Sequence, residues 1–88
     1  MIISFFLLLL PSSVPAASVS KGINEGNKLY YEGKYDEAIE NYNEAMEESP
    51  DSDIANYNSG AAFYKKGQFN EAFNAFTRAL NTEDLEIE

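Results

Sequence analysis

Carboxylates are the most numerous side chains in this sequence that could do chemistry, and five cluster in one segment: Glu37, Glu40, Glu44, Glu47 and Glu48. Such a cluster could hold a divalent cation or work as a general acid and base. However, these residues lie off the apolar stripe that Ile39, Tyr42 and Met46 would form on a helix. We therefore interpret them as a solvated helix face.

Other catalytic groups are scarce. The sequence contains no histidine and no cysteine, so the usual nucleophile–base pairs have no members. The segment "DSDIAN", residues 51–56, begins like a calcium-binding loop. It fails further on, because Asn56 stands at the turn glycine and Ala62 at the bidentate glutamate. We expect no cofactor, no metal and no enzymatic activity, since acid–base catalysis would depend on carboxylates alone.

The length and charge of the chain narrow the classes of partner. With 88 residues it forms one small domain at most. Fifteen acidic residues against six basic ones give a net charge of −9, which repels phosphate backbones and argues against nucleic acid as a partner. Without cysteine there are no disulfides, so stability must come from packing.

The N-terminus has the composition of an export signal. Residues 1–10 are almost entirely apolar but too few to span a bilayer, which takes about 20 residues. Pro11 follows, and then small residues at Val14 and Ala16 that suit a signal peptidase. The sequence predicts a signal peptide at 1–16, an exported periplasmic or secreted protein, and no stable membrane span after cleavage. The alternative is that the run is a buried helix or strand of the fold.

The elements that position the remaining residues follow from an internal repeat. Between Asn24 and Met46, seven positions are identical to those 34 residues further on: Asn24/Asn58, Gly26/Gly60, Tyr30/Tyr64, Gly33/Gly67, Glu37/Glu71, Ala38/Ala72 and Ala45/Ala79. Each copy has the apolar spacing of two helices. Small residues at 26, 38 and 45, and again at 60, 72 and 79, would let the helix axes approach closely. Four aromatic residues would fill the spaces around those contacts: Tyr35, Tyr42, Phe69 and Phe76.

Turn and cap residues set the predicted helix boundaries. Gly33 and Gly67 stand where the first helix of each copy must stop and turn, a place for positive φ. Asp36 and Asn70 then follow as predicted N-caps of the second helices. Pro50 ends the first hairpin, and Asp51 or Asp53 is predicted to cap the helix after it.

These residues, from about Ser20 to Leu80, resemble the tetratricopeptide repeat family, whose period is about 34 residues. The resemblance implies an all-α fold in which two tandem helix–turn–helix hairpins form a short right-handed α-solenoid. The predicted boundaries are a linker at 17–19, repeats at 20–52 and 53–82, and a truncated or frayed tail at 83–88. Leu85 and Ile87 resemble the beginning of a further helix. Together with the apolar N-terminus, the resemblance implies an exported bacterial member of the family.

The resemblance also implies a binding surface. In the family, the inner face formed by the first helix of each repeat lines a concave groove that holds peptide segments. Here that face comprises Ile23, Asn27, Tyr30, Ile54, Tyr57, Asn58, Ala61 and Tyr64. Tyrosines offer a large contact area at low entropic cost, and asparagines can hydrogen-bond a peptide backbone. Alternatively, the tyrosines simply cover the core between the repeats.

One group within the family uses a basic clamp to hold a C-terminal carboxylate. Asn27 and Asn58 match two asparagines of that clamp, but Ile23 stands where its first lysine would be. We therefore do not assign the clamp to this chain.

The resulting functional hypothesis is a non-enzymatic scaffold that docks a protein or peptide partner in the cell envelope. The alternative is an N-terminal structural fragment of a longer solenoid, with no binding site of its own. A third expectation is self-association through the C-terminal edge, where Phe73, Phe76 and Leu80 remain available for stacking.

Overall fold

The computed structural model describes residues 16–81, which form four helices: α1 (Ala16–Tyr31), α2 (Tyr35–Glu48), α3 (Asp53–Lys65) and α4 (Phe69–Leu80). α1 packs against α2 and α3 packs against α4, while α2 contacts α3 to stack the two hairpins. The all-α, two-hairpin prediction is confirmed. Within these residues no helix has both the length and the apolar character needed to cross a membrane.

The predicted ends of the chain fall largely outside this range. The signal segment before Ala16 and the tail at 83–88, with Leu85 and Ile87, lie outside the described residues. The predicted linker at 17–19 is wrong, because α1 begins at Ala16 and includes these positions. They contain no glycine or proline that would break a helix, and alanine is the strongest helix former.

Gly33 and Gly67 end α1 and α3 as predicted, with φ of 81° and 83°. At the first turn the Gly33 N–H donates to the Tyr30 carbonyl at 3.0 Å, and the Lys34 N–H donates to the Leu29 carbonyl at 2.9 Å. The second turn repeats this pair of bonds around Gly67. This arrangement, a Schellman motif, satisfies the last carbonyls of a helix and requires a residue with positive φ.

The predicted N-caps of α2 and α4 are wrong, since Lys34 and Gln68 hold these positions. The Schellman turn leaves one residue between the glycine and the next helix, so the helix begins before Asp36 and Asn70 can cap it. Asp36 instead lies in the first turn of α2, where its carboxylate pairs with Lys66 at the end of α3. An acidic group there also interacts favourably with the helix dipole.

Ser52, rather than Asp51 or Asp53, caps α3. Its hydroxyl accepts a hydrogen bond from the Ala55 N–H at 3.1 Å. The Ser52 N–H donates to the Ser49 carbonyl at 3.0 Å, which closes a four-residue turn through Pro50 and places Ser52 at the entrance of the helix. Pro50 therefore follows the end of the first hairpin, as predicted.

The small residues hold the helix pairs together. Ala38, Ala45, Ala72 and Ala79 are all buried, as the close-approach prediction requires. A Cβ on Gly26 would meet the Tyr42 ring at 2.5 Å, and one on Gly60 would meet the Phe76 ring at 2.6 Å. Of the four aromatic residues predicted to fill the spaces between helices, Tyr42 is buried and Tyr35 and Phe76 are half-buried. Phe69 is 61% exposed, because no described helix covers α4 as α3 covers α2.

Candidate functional site

A groove of about 280 Å³ opens where α1, α2 and α3 meet. Its lining consists of Asn27, Tyr30, Tyr31, Tyr42, Tyr57, Asn58 and Ala61. All seven side chains are uncharged, and four are tyrosines. A surface of this composition can bury apolar groups and form a few directed hydrogen bonds, but it offers no charge to neutralise an ion.

The structure brings five of the eight predicted groove residues together. They are Asn27, Tyr30, Tyr57, Asn58 and Ala61. Ile54 lines a neighbouring pocket that shares Tyr57 and Asn58 with the groove. Ile23 and Tyr64 do not line the groove: Ile23 is half-buried on α1, and Tyr64 packs on Phe69 with ring centroids 5.3 Å apart.

Tyr31 and Tyr42 line the groove but were not predicted to do so. Tyr42 belongs to the apolar stripe of α2, so sequence periodicity assigns it entirely to the core, although its ring is long enough to reach the groove. Tyr31 follows Tyr30 directly and therefore lies about 100° further around the helix. It is the last residue of α1, and its ring packs edge-on against Tyr30 at 5.5 Å. No pattern in the sequence indicates that contact.

Asn27 is the centre of a hydrogen-bond network that joins three helices. Its Oδ1 accepts a bond from the Tyr42 hydroxyl at 2.6 Å and another from Asn58 Nδ2 at 3.0 Å. α1, α2 and α3 are thus tied together at the floor of the groove. Among the described residues, Asn27 Nδ2 and Asn58 Oδ1 have no hydrogen-bond partner, which leaves an amide NH2 group to donate to a ligand and an amide oxygen to accept from it.

Tyr42 anchors this network from below. Its side chain is 1% exposed, and burial raises the pKa of its hydroxyl from the ordinary value of 10.0 to about 12, with Tyr30 and Tyr31 adding to the rise. Burial has this effect because it penalises the charged phenolate. The protonated hydroxyl donates its hydrogen bond to Asn27 Oδ1.

The tyrosines differ in how far they belong to the core. Tyr30 is half-buried against the cluster of Ala38, Ile39, Tyr42 and Ala62, so it serves the packing between repeats as well as the groove. Tyr57 is 58% exposed and Tyr31 is 84% exposed, although Tyr57 also contacts the Phe76 ring. The interpretation of the tyrosines as core cover therefore applies to Tyr30 more than to Tyr31 or Tyr57.

The acidic residues contribute to a different pocket, of about 410 Å³ between α1 and α2, whose lining includes Glu25, Glu44 and Glu48. The five glutamates of α2 are all exposed: Glu37, Glu40, Glu44, Glu47 and Glu48. Within residues 16–81, no group of three acidic side chains is arranged to hold a metal ion. The carboxylates of α2 are thus presented to solvent, as a solvated helix face would be.

Comparison with known proteins agrees with the two-hairpin fold. Residues 26–67 match a family model described as "TPR repeat", and residues 54–83 match one described as "Tetratricopeptide repeat". The chain belongs to the tetratricopeptide repeat family. The family consists generally of non-enzymatic protein interaction modules, which supports the predicted class of function at that level.

The chain is also similar to the heat shock protein STI1 of Saccharomyces cerevisiae. The two are 43% identical over 56 residues, a stretch that covers 64% of this chain but 9% of the yeast protein. The likeness therefore concerns the repeats and not the rest of the larger protein.

Proposed function

We propose that the groove of α1, α2 and α3 binds an extended, uncharged peptide segment of a protein partner, and that it does so in the cell envelope. The observation that carries the proposal is the Asn27–Asn58 pair, which presents an open donor and an open acceptor on a floor fixed by Tyr42. A peptide unit needs one acceptor for its N–H and one donor for its C=O, so the pair can satisfy one peptide group.

The absence of charged residues from the groove lining restricts the class of ligand that can bind. The groove lining is uncharged, so a charged ligand group buried there would lose hydration without gaining a partner. A free C-terminal carboxylate is disfavoured for the same reason, and Ile23 provides no cation nearby. The net charge of −9 attracts partners that carry basic residues outside the bound segment, mainly by raising the association rate.

A test begins with selecting ligands from a displayed library of random peptides and measuring their affinities by calorimetry. Tyr31→Ala should weaken a selected peptide by roughly thirtyfold, the usual cost of about 2 kcal/mol for an aromatic anchor. Since Tyr31 is 84% exposed, its truncation should leave the fold intact. Asn58→Ala should also weaken binding, and amidation of the peptide C-terminus should leave the affinity unchanged.

Glu40→Lys is the matched control, because Glu40 is exposed on α2 and does not line the groove. It should change the association rate and the salt dependence more than the dissociation rate. If the folded Tyr31 variant binds normally while Glu40→Lys abolishes binding, the partner docks on the acidic surface of α2 instead. If no selected peptide depends on any groove residue, the alternative of a solenoid fragment without its own site is favoured.

The envelope location depends on the N-terminal segment. Signal cleavage after Ala16 would remove only the first residue of α1, so export and folding are compatible. Intact-mass analysis of the protein from isolated envelopes should give a chain that begins at Ala17. A chain that retains Met1 there would contradict the export proposal without affecting the groove.

A further inference from the structure

The pocket of about 410 Å³ between α1 and α2 differs from the groove in its charge and shares no lining residue with it. Glu25, Glu44 and Glu48 contribute three negative charges to its lining, and Lys21 contributes one positive charge. Within residues 16–81, none of these four side chains takes part in an ion pair. The pocket therefore has an excess of carboxylates that no neighbouring cation neutralises directly.

In the second hairpin, the equivalent place is filled by the chain's own side chains. Gly22 and Glu44 line the pocket, and 34 residues further on stand Asn56 and Arg78. Asn56 is 2% exposed, and its Oδ1 accepts a hydrogen bond from Arg78 Nε at 2.8 Å. Its Nδ2 is fixed in turn by two backbone carbonyls that precede α3. The space between the start of one helix and the end of the next thus accommodates a guanidinium group held by an amide oxygen.

The first hairpin retains hydrogen-bond acceptors at this place but lacks the cation. Gly22 has no side chain to occupy the space, and a carboxylate, that of Glu44, replaces the guanidinium. Asn41 provides an amide oxygen, because its Nδ2 donates to the Glu37 carbonyl at 3.1 Å and its Oδ1 has no donor among the described residues. The equivalent residue in the second hairpin is Ala75, which offers no such group. The pocket is therefore suited to a cation supplied from outside.

We propose that this pocket binds an arginine side chain of a basic segment in a partner protein. A guanidinium group presents five N–H donors in one plane, so it can donate to the Asn41 oxygen and to separate carboxylates at the same time. A metal ion fits less well, since no three acidic side chains within residues 16–81 are arranged to hold one. The volume is also within the range of about 300–1,000 Å³ that is usual for ligand pockets.

The arginine must come from another molecule. Residues 1–15 and 82–88 contain neither lysine nor arginine, so neither segment can supply a basic side chain. A second copy of the chain would carry the same net charge of −9 and would be repelled. A basic segment of a different protein has the complementary charge. The proposal is independent of peptide binding in the groove, which lies at a separate place on the molecule.

Three capped pentapeptides, each with one test residue between pairs of glycines, serve as probes. The test residue is arginine, lysine or citrulline, which has nearly the shape of arginine but no charge. In NMR titrations of the full chain, the arginine peptide should bind saturably, with shifts centred on the amides of Gly22, Asn41 and Ala45. The lysine peptide should bind more weakly and the citrulline peptide should not bind measurably. Added salt should weaken binding of the arginine peptide.

Two substitutions on α2 separate the pocket from the general negative field of the chain. Glu44→Gln should weaken binding of the arginine peptide about three- to tenfold, because it removes one charge-assisted hydrogen bond at a partly solvated site. Glu40→Gln is the matched control: Glu40 is exposed on the same helix and does not line the pocket. The control should change the affinity less than about twofold.

A double variant fills the pocket from within. Gly22→Asn together with Glu44→Arg recreates the Asn56–Arg78 pair in the first hairpin and should abolish binding of the arginine peptide. The nearest atom to a Cβ at Gly22 is the Asn41 carbonyl oxygen at 3.2 Å, so the helix needs to yield only slightly. Circular dichroism should show that the helical fold is retained.

Equal binding of the arginine and citrulline peptides would overturn the proposal, and so would equal losses from Glu44→Gln and Glu40→Gln. Equal affinity for the lysine peptide would overturn the assignment of a guanidinium group. Undiminished binding to a folded double variant would show that the arginine binds elsewhere. Tyr31→Ala should leave binding of the arginine peptide unchanged, which separates this result from the outcome at the groove.

Discussion

Gly26→Ala tests the close packing of α1 on α2 more directly than any other single change. A Cβ at this position would lie 2.5 Å, 2.7 Å and 3.0 Å from three atoms of the Tyr42 ring. Ordinary van der Waals contact begins at 3.4 Å, so the ring or the helix must withdraw by about 1 Å. The ring cannot move freely, because Tyr42 is 1% exposed and its hydroxyl is bonded to Asn27 at 2.6 Å.

The expected change in the free energy of unfolding is the difference between two opposing contributions. Overpacking a well-packed core costs about 1–3 kcal/mol, and the constraint on Tyr42 places this site in the upper part of that range. Against it, replacing an interior helical glycine by alanine contributes about 1 kcal/mol of helix propensity. The net loss should be about 1–2 kcal/mol, which lowers the melting temperature of a domain this size by about 5–15 °C.

Gly60→Ala is the internal control, since the same clash occurs there at 2.6 Å but with Phe76. Phe76 is half-buried and has no hydroxyl to fix it, so its ring can yield and the loss should be smaller. Thermal and urea unfolding followed by circular dichroism measure both variants. A Gly26 variant more stable than the parent, or a Gly60 variant that loses more than the Gly26 variant, would refute the assigned packing.

Three further predictions concern the hydroxyl groups of Tyr42, Ser59 and Ser52. The Tyr42 pKa is about 12 in the folded chain and about 10 in the unfolded chain, so the unfolded state releases its proton first as pH rises. The contribution of the Tyr42 hydroxyl to the free energy of unfolding is therefore complete below about pH 10 and should be lost between about pH 10 and 12. Urea unfolding across this range should show a steeper decline for the parent than for Tyr42→Phe, and parallel declines would contradict the assignment. The Ser59 hydroxyl is 0% exposed and has no partner among the described residues, so Ser59→Ala should stabilise the chain by about 1 kcal/mol. Ser52→Ala, which removes the cap of α3, should destabilise the chain by about 1 kcal/mol. Thermal unfolding measures both serine variants, and a loss of stability in Ser59→Ala would show that the Ser59 hydroxyl has a hydrogen-bond partner.

The sequence was sufficient to predict the helices and their packing because these depend on local, repeated signals. Positive φ at Gly33 and Gly67 and burial of Ala38 and Ala72 follow from residue type at a fixed interval. The caps could not be predicted in the same way. Several acidic and polar residues near each helix start are chemically suitable, and the choice depends on how many residues the preceding turn consumes.

The groove was predictable only in part for a different reason. Periodicity assigns each residue to one helix face, and on that basis Tyr42 belongs to the core and Tyr31 to neither face. Whether a long side chain extends past its own face depends on the space left by residues distant in sequence. Gly26 provides that space beneath Tyr42, and Asn27 fixes the position of the tyrosine hydroxyl. The ion pair between Asp36 and Lys66, 30 residues apart, escaped prediction for the same reason.

The position of Asn27 determines which substitutions in the groove can separate ligand binding from the stacking of the two hairpins. Its oxygen holds Tyr42 and Asn58 together, so the residue that orients the proposed ligand contacts also joins the two hairpins. Replacing Asn27 would leave the buried Tyr42 hydroxyl without a partner and loosen α3 from α1. A loss of binding could then result from altered folding as much as from lost ligand contacts. Tyr31 lacks this double role, because it is largely exposed and its ring packs edge-on against Tyr30. The effect of a substitution at Tyr31 can therefore be attributed to binding, while substitutions at Asn27 measure how strongly binding and repeat stacking are coupled.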